Sequence, residues 1–305
     1  MKYMIYKLHF KTEVHIGNGA LSDSEPVFSA DTFFSALCHE AINIGGEETL
    51  EKLIKEVKSE NMVFSDSFPF VKDNLYIPKP LLKLEKKSES DPSLKKEYKK
   101  LNYIDVNKLD DYLSGKLDIK AEKTKFSLGE KITRDRVNLY GEESLPYRVG
   151  TFNFYKGSGL YVCVGYTETN KDLIYKIVKS LSYTGIGGKI SSGLGKFDLE
   201  VVDVPDTLMK RLEKQYKTYM TLSASMAKDE EVETALKNAS YLVFKRSGFI
   251  YSPVQIKQLV KKKDFYAFKS GSCFENKFCG DIFDVSENLP HPVYRYAKPL
   301  FMGVI

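Results

Sequence analysis

Met4, Tyr6, Leu8 and Phe10 alternate with polar or mixed positions, and this period of two predicts a strand at the start of the chain. A loop, His15-Ile-Gly-Asn-Gly19, follows. Ser29 to Thr32 then opens a helix with Ala30, Phe33, Phe34, Leu37 and Ala41 on one face, ended by Gly45-Gly46. Leu50, Leu53, Ile54 and Val57 mark a second amphipathic helix. Met62 to Pro80 reads as short strands and turns. Regular structure resumes at Tyr147. Phe152 and Phe154 share a strand face, Lys156-Gly-Ser-Gly159 turns the chain, and the return strand puts Leu160, Val162, Val164 and Tyr166 on one side. From Asp172 a helix carries Leu173, Ile174, Ile177, Val178 and Leu181 as one stripe. Phe197, Leu199 and Val201 form the next strand.

Pro205 marks a boundary, dividing the chain into 1–204 and 205–305. The second half repeats the theme: a strand near Tyr219 to Ala224, a helix from Asp229 to Ala239, then strands at Leu242 to Arg246, Phe265 to Phe268, Asp281 to Val285 and Val293 to Ile305. Strand-helix-hairpin-helix-strand order in each half predicts an α+β fold of two ferredoxin-like (RRM-like) domains, with helices packed on antiparallel sheets. Helices on one face leave the other sheet face free, as in RRM-type RNA binders.

Composition adds one inserted region. Residues 83–130 are rich in Lys, Glu, Ser and Asp, and read as an exposed helical or hairpin insertion. Lys79 to Lys125 holds 13 basic and 9 acidic residues, a surplus of four out of the chain's net charge of +5. That mild positive bias permits a nucleic-acid partner without demanding one. The 20 Tyr and 19 Phe would serve base stacking, although most aromatics in such a chain fill sheets. Four cysteines and four histidines show no metal-ligand spacing, so neither a metal nor a cofactor is expected and the cysteines read as free thiols. No apolar run reaches membrane-spanning length and the N-terminus is no signal peptide, so a cytoplasmic protein without a membrane partner is expected.

The strongest local signal is Gly185-Ile-Gly-Gly-Lys-Ile-Ser-Ser-Gly-Leu-Gly195. Five glycines fall in eleven positions, interleaved with Lys189, Ser191 and Ser192 and followed by Lys196. Glycine permits positive φ and close approach of a ligand to the main chain, and successive N–H groups can then face phosphate oxygens. The alternative is a loop that packs on its own sheet. Nucleotide fingerprints are excluded. Leu194 stands where a Walker motif needs Lys, and the loop follows a helix and precedes a strand, the reverse of both common motifs.

A loop of this type, between a helix and the last strand of a ferredoxin-like half, resembles the signature of the RAMP superfamily of CRISPR proteins. Four further stretches narrow the resemblance: Ser29-Ala-Asp-Thr-Phe-Phe-Ser-Ala-Leu37, Tyr147-Arg-Val-Gly-Thr-Phe-Asn-Phe-Tyr155, Lys245-Arg-Ser-Gly-Phe249 and His291-Pro-Val-Tyr-Arg-Tyr296. The five together are similar to the fourth subunits of type III-A Csm effector complexes. The resemblance implies a non-catalytic RNA-binding subunit in antiviral defence. Such a subunit holds the repeat-derived 5′ tag of the guide RNA (crRNA), bridges the large polymerase and nuclease subunit to the adjacent backbone RAMP subunit, and meets target RNA only indirectly. It also implies that Gly185, Gly187, Gly188, Lys189, Ser191, Ser192, Gly193 and Gly195 line the tag.

Other positions join the expected RNA contacts. His15 and Gly17 lie in the loop after the first strand. The sharper reading of His15 is general acid-base catalysis, which would make the protein a metal-independent endoribonuclease that processes precursor crRNA. Arg134, Arg136 and Arg148 fall where RAMP proteins carry a thumb hairpin, and arginine can pair phosphate or stack on a base. Lys245 and Arg246 suit a phosphate or a protein partner equally. Lys79, between two prolines, is either an RNA contact or turn chemistry. Asp31 reads as a first-turn carboxylate, or as the loop aspartate that supports target cutting in backbone subunits. A protein-only adaptor with an acidic partner is the remaining alternative.

Overall fold

The computed structural model describes residues 1–82, 96–98, 100–140, 143–250, 260–286 and 291–305. In chain order the elements begin with β1 (Lys2–Phe10), α1 (Ala30–Lys58), β2 (Met62–Phe64), β3 (Phe68–Val71), β4 (Asn74–Pro78) and β5 (Tyr103–Asp105). The short helices α2 (Leu109–Leu113) and α3 (Ile119–Lys125) follow, then β6 (Gly129–Tyr140), β7 (Glu143–Phe154), β8 (Ser158–Tyr166), α4 (Lys171–Thr184) and β9 (Phe197–Asp203). The second half contributes α5 (Asp206–Glu213), β10 (Tyr219–Thr221), α6 (Asp229–Leu236), β11 (Val243–Arg246) and β12 (Phe265–Phe268). It ends with β13 (Cys273–Phe274), β14 (Ile282–Asp284), β15 (Tyr294–Tyr296) and β16 (Phe301–Gly303).

In the main sheet β9, β1, β8 and β3 lie side by side, all antiparallel, with β2 also on β8 and with β4 and β5 extending the β3 edge. Strand-helix-strand-strand-helix-strand order with this arrangement is ferredoxin-like. The pattern residues of β1 explain its orientation. Tyr6 and Leu8 pack with Phe33, Phe34 and Leu37 of α1 and Ile174, Ile177 and Val178 of α4. The expected break in α1 is real: Gly45 and Gly46 leave helical geometry, Gly46 at φ 66°.

The other sheet face is not bare, and the expectation of an open RRM-type surface is corrected. Ile5, Phe68, Phe70, Tyr161 and Cys163 are covered by Leu208, Met220, Leu222, Leu300 and Met302 of the second half. Leu101, Ile104, Leu109 and Ile119 of the insertion close the rest. From Leu101 onward the insertion therefore buries one face in the core while its polar side chains stay exposed; residues 83–95 and Lys99 lie outside the described residues. Burying an aromatic or branched aliphatic side chain contributes about 1.5–3 kcal/mol each, which outweighs keeping an apolar face wet.

The second half does not repeat the single sheet of the first. Its strands fall into β13-β10-β16, β11-β12 and β14-β15. Met220, Cys273 and Met302 of the first set pack on the first half, while Phe268, Phe274 and Phe278 form a small cluster within the second. Tyr296 joins the α1 core, and its hydroxyl oxygen accepts the Phe64 N–H at 2.8 Å.

Asp66 fastens the same seam. It is buried, and its Oδ1 accepts the N–H groups of Ala30, at the start of α1, and Ala224, both at 2.8 Å. Burial pushes its pKa up to about 6 against the hydrogen bonds that favour the charged form. A folded-state pKa above the unfolded value of about 3.9 means that this group favours folding fully below pH ~4. That advantage, about 3 kcal/mol, is lost as pH rises through 6. Asp66→Asn keeps the accepting oxygen without the charge. Urea unfolding of both proteins is expected to show wild type losing about 2 kcal/mol relative to the variant between pH 4 and pH 7. Parallel pH profiles would contradict the assignment.

Candidate nucleic-acid interface

The glycine-rich loop sits at the end of α4 beside the His15 loop. It is pinned by Ile186 N–H to Gly195 O (3.0 Å), Gly188 N–H to His15 O (2.8 Å) and Gly195 N–H to Glu13 O (2.8 Å). Positive φ at Gly187 and Gly195 has a reason: a Cβ there would stand 2.6 Å from His15 O and 2.1 Å from Ile186 O. Lys189 is left-handed (φ 61°, ψ 26°) and leads into a 3₁₀ turn, Ile190–Ser192. A left-handed residue leading into a helical turn is a main-chain conformation in which successive N–H groups can form an anion cradle. Among the described residues the N–H groups of Lys189, Ile190 and Ser191 have no protein acceptor.

The loop forms one wall of a cleft of about 720 Å³. A second wall is the polar side of α1, with Thr32, Ser35, His39 and Asn43 at helical spacing. The second half supplies Arg246, Lys262, Tyr294 and Arg295. His15 is buried and its Nδ1 lies 2.6 Å from Gly150 O. A carbonyl only accepts, so Nδ1 carries the proton, and in the neutral ring Nε2 is an acceptor. Gly17 and Gly188 are small beside it; a Cβ at Gly188 would stand 2.7 Å from His15 Cδ2.

Asp31, in the first turn of α1, is buried between two guanidiniums. It holds Arg246 through Oδ2 (3.1 Å) and Oδ1 (2.9 Å), and Arg295 Nη1 also donates to it. Burial alone would raise its pKa, but Arg246 and Arg295 outweigh burial and hold the carboxyl below its ordinary value. Among the described residues six charged side chains line the cleft: Lys189, Arg246, Lys262 and Arg295 against Asp31 and Glu40. The surplus is two positive charges.

Of the positions expected to meet RNA, the cleft brings together His15, Gly17, Gly185, Gly187, Gly188, Lys189, Ser191 and Arg246. Ser192, Gly193, Gly195 and Lys196 belong to the loop but do not line it. Arg134 and Arg136 lie on one face of the β6–β7 hairpin and Arg148 on the other, since register pairs Arg136 with Tyr147 and Asp135 with Arg148. Arg134 is held by Glu13, and Arg148 by Asp135 at 3.1 Å. Lys189 Nζ lies 5.4 Å from the Tyr147 ring, which joins the loop to the hairpin's Arg136 face. Lys245 alternates away from Arg246 and pairs with Asp264 at 2.7 Å. Lys79 is elsewhere: its Nζ donates to Tyr98 O at 3.0 Å, and burial lowers its pKa.

Sequence reasoning passed over Thr32, Ser35, His39, Asn43, Lys262 and Arg295. The α1 set was visible as a polar stripe opposite Phe33 and Leu37. Arg295 lies in the His291–Tyr296 stretch that supported the resemblance but was given no role there, and Lys262 carried no signal, being brought in by the fold alone. Among the described residues no cluster of His, Cys, Asp or Glu is placed to hold a metal, and the four cysteines are free thiols. No helix among them is long and apolar enough to cross a membrane.

Comparisons with known proteins agree along the chain. A model of the RAMP superfamily matches residues 7–198, and one described as the CRISPR Csm4 C-terminal domain matches residues 214–304. The "CRISPR system Cms protein Csm4" of Mycobacterium tuberculosis (strain ATCC 25618 / H37Rv) is 33% identical over 307 residues, covering 100% of this chain and 98% of the relative. That of Streptococcus thermophilus is 34% identical over 310 residues, covering 98% of each. Among solved structures, a chain of the Csm3–Csm4 subcomplex of the type III-A CRISPR–Cas interference complex superposes with a TM-score of 0.67 at 22% identity, covering 99% of both chains. A chain of a Csm1–Csm4 cassette in complex with pppApA gives 0.63 at 19% identity, covering 100% of this chain and 98% of the other.

Proposed function

Because the chain belongs to the Csm4 family of the RAMP superfamily, we propose that it is a non-catalytic RNA-binding subunit of a type III-A CRISPR effector complex. It holds the repeat-derived 5′ tag of the crRNA in the cleft and bridges the large polymerase and nuclease subunit to the adjacent backbone RAMP subunit, in antiviral defence. One observation carries the RNA assignment: three consecutive N–H groups without acceptors, at Lys189 to Ser191, rim a cleft with surplus positive charge. Phosphate oxygens satisfy both features, and main-chain donors grip a strand without regard to base. Relatives found in complexes with Csm3 and with Csm1 support the bridging role.

The endoribonuclease reading gains one observation, a second histidine in the cleft. Acid-base catalysis by a pair needs one partner charged. Burial, and then Lys262, lower the pKa of His39, which disfavours its charged form and leaves it only the role of base in such a pair. Incubating the protein with labelled repeat RNA in chelator is expected to give no specific product. Cleavage that His15→Ala abolishes would replace the scaffold reading. In salt titrations with tag RNA, Lys189→Ala is expected to lower the slope of log K against log salt by about 0.7, one single-strand phosphate contact. An unchanged slope would refute the contact at the loop.

A further inference from the structure

The floor of the cleft holds more positive charge than its carboxylate balances. Arg246 and Arg295 converge there on Asp31, and Lys262 lines the same floor. Asp31 Oδ1 and Oδ2 and Thr32 Oγ1 occupy Arg246. Arg295 is only 6% exposed, and among the described residues its Nε has no hydrogen-bond partner. Lys262 has no carboxylate at ion-pair distance among the described residues. Its pKa is lowered by burial first and then by Arg295 and Arg246.

A buried guanidinium N–H without an acceptor and a half-buried ammonium without a counterion both cost free energy. An entering anion with several acceptor oxygens supplies the counterion that the ammonium lacks. A phosphate group suits the site, offering one oxygen to the remaining guanidinium donors and another to a point charge.

We propose that Arg295 and Lys262, with Arg246 braced by Asp31, form a second phosphate-binding subsite that takes a phosphodiester of single-stranded RNA. It is separate from the N–H cradle of the glycine-rich loop, and it rests on the RNA-binding reading of the cleft. The cradle belongs to the first half of the chain and this subsite to the second. A strand in the cleft is therefore held at two phosphates by two different parts of the fold. RNA is the source favoured over a free phosphate compound because loop, cleft and floor are continuous.

The test uses the full chain and fluorescein-labelled single-stranded RNA carrying the repeat-derived tag, titrated with salt. Lys262→Ala is expected to lower the slope by about 0.7, and Lys189→Ala with Lys262→Ala by about 1.4. Arg295→Lys keeps the charge but loses the fork, so affinity falls while the slope stays. Thermal unfolding confirms that each variant is folded. A wild-type slope in Lys262→Ala beside a reduced one in Lys189→Ala would overturn the subsite and leave the RNA reading intact. Wild-type slopes in all variants would overturn both. Adenosine monophosphate and inorganic phosphate separate the sources. If they raise the unfolding midpoint through Lys262 while RNA binding ignores it, the phosphodiester assignment fails.

Discussion

Asp31→Ala is expected to lower the stability of the chain by about 3–5 kcal/mol, the cost of leaving a buried charge without its partner. Asp31 is the shared counterion of Arg246 and Arg295, and both arginines come from the second half while Asp31 opens α1. Without it three cationic side chains face one another at low dielectric. Removing a cation as well relieves the repulsion, so Asp31→Ala with Arg295→Met is expected to recover part of the loss. Urea midpoints of the two variants measure this; a loss below about 1 kcal/mol in the single variant would show that the arginines are solvated rather than buried. The pH dependence runs opposite to that of Asp66. The carboxyl of Asp31 is lowered, so its stabilisation is present above the unfolded pKa of about 3.9 and disappears as pH falls through the lower folded value.

Gly195→Ala is expected to cost about 3 kcal/mol or more, against about 1 for Gly193→Ala. Both glycines have positive φ, 77° and 84°, so both substitutions carry left-handed strain. Only Gly195 also lacks space: its Cβ would meet Ile186 O at 2.1 Å and Ile186 N at 2.9 Å, whereas nothing lies within 4 Å of one at Gly193. The clash is backbone on backbone, where no rotamer gives relief. It also strikes the Ile186–Gly195 hydrogen bond that anchors the loop, so tag RNA binding falls with stability. Equal midpoints for the two variants would refute this reading of the loop.

The first half was legible because its elements bury one face at a time. Tyr6 and Leu8, Phe33 and Leu37, and Ile174 and Ile177 each follow the period of their element, and the structure packs them together. The covered second sheet face was also written in the sequence. Ser158 to Tyr166 is buried at every position, and Tyr161 and Cys163 alternate with Leu160, Val162 and Val164. Apolar residues on both sides of a strand mean cover on both sides. β6 was hidden because Lys131, Arg134, Asp135 and Arg136 leave no apolar period over its outer part. The ionic floor was illegible for a different reason: Asp31 lies 215 and 264 positions from Arg246 and Arg295. Charged pairs at such separations have no local signature, and only the docking of the second half creates them.

That docking gives the cleft a property neither half has alone. Its walls belong to two parts of the chain, so a molecule spanning them acts as a staple across a seam. The looser the seam when empty, the more an occupant tightens it, and the occupied chain resists unfolding as one unit.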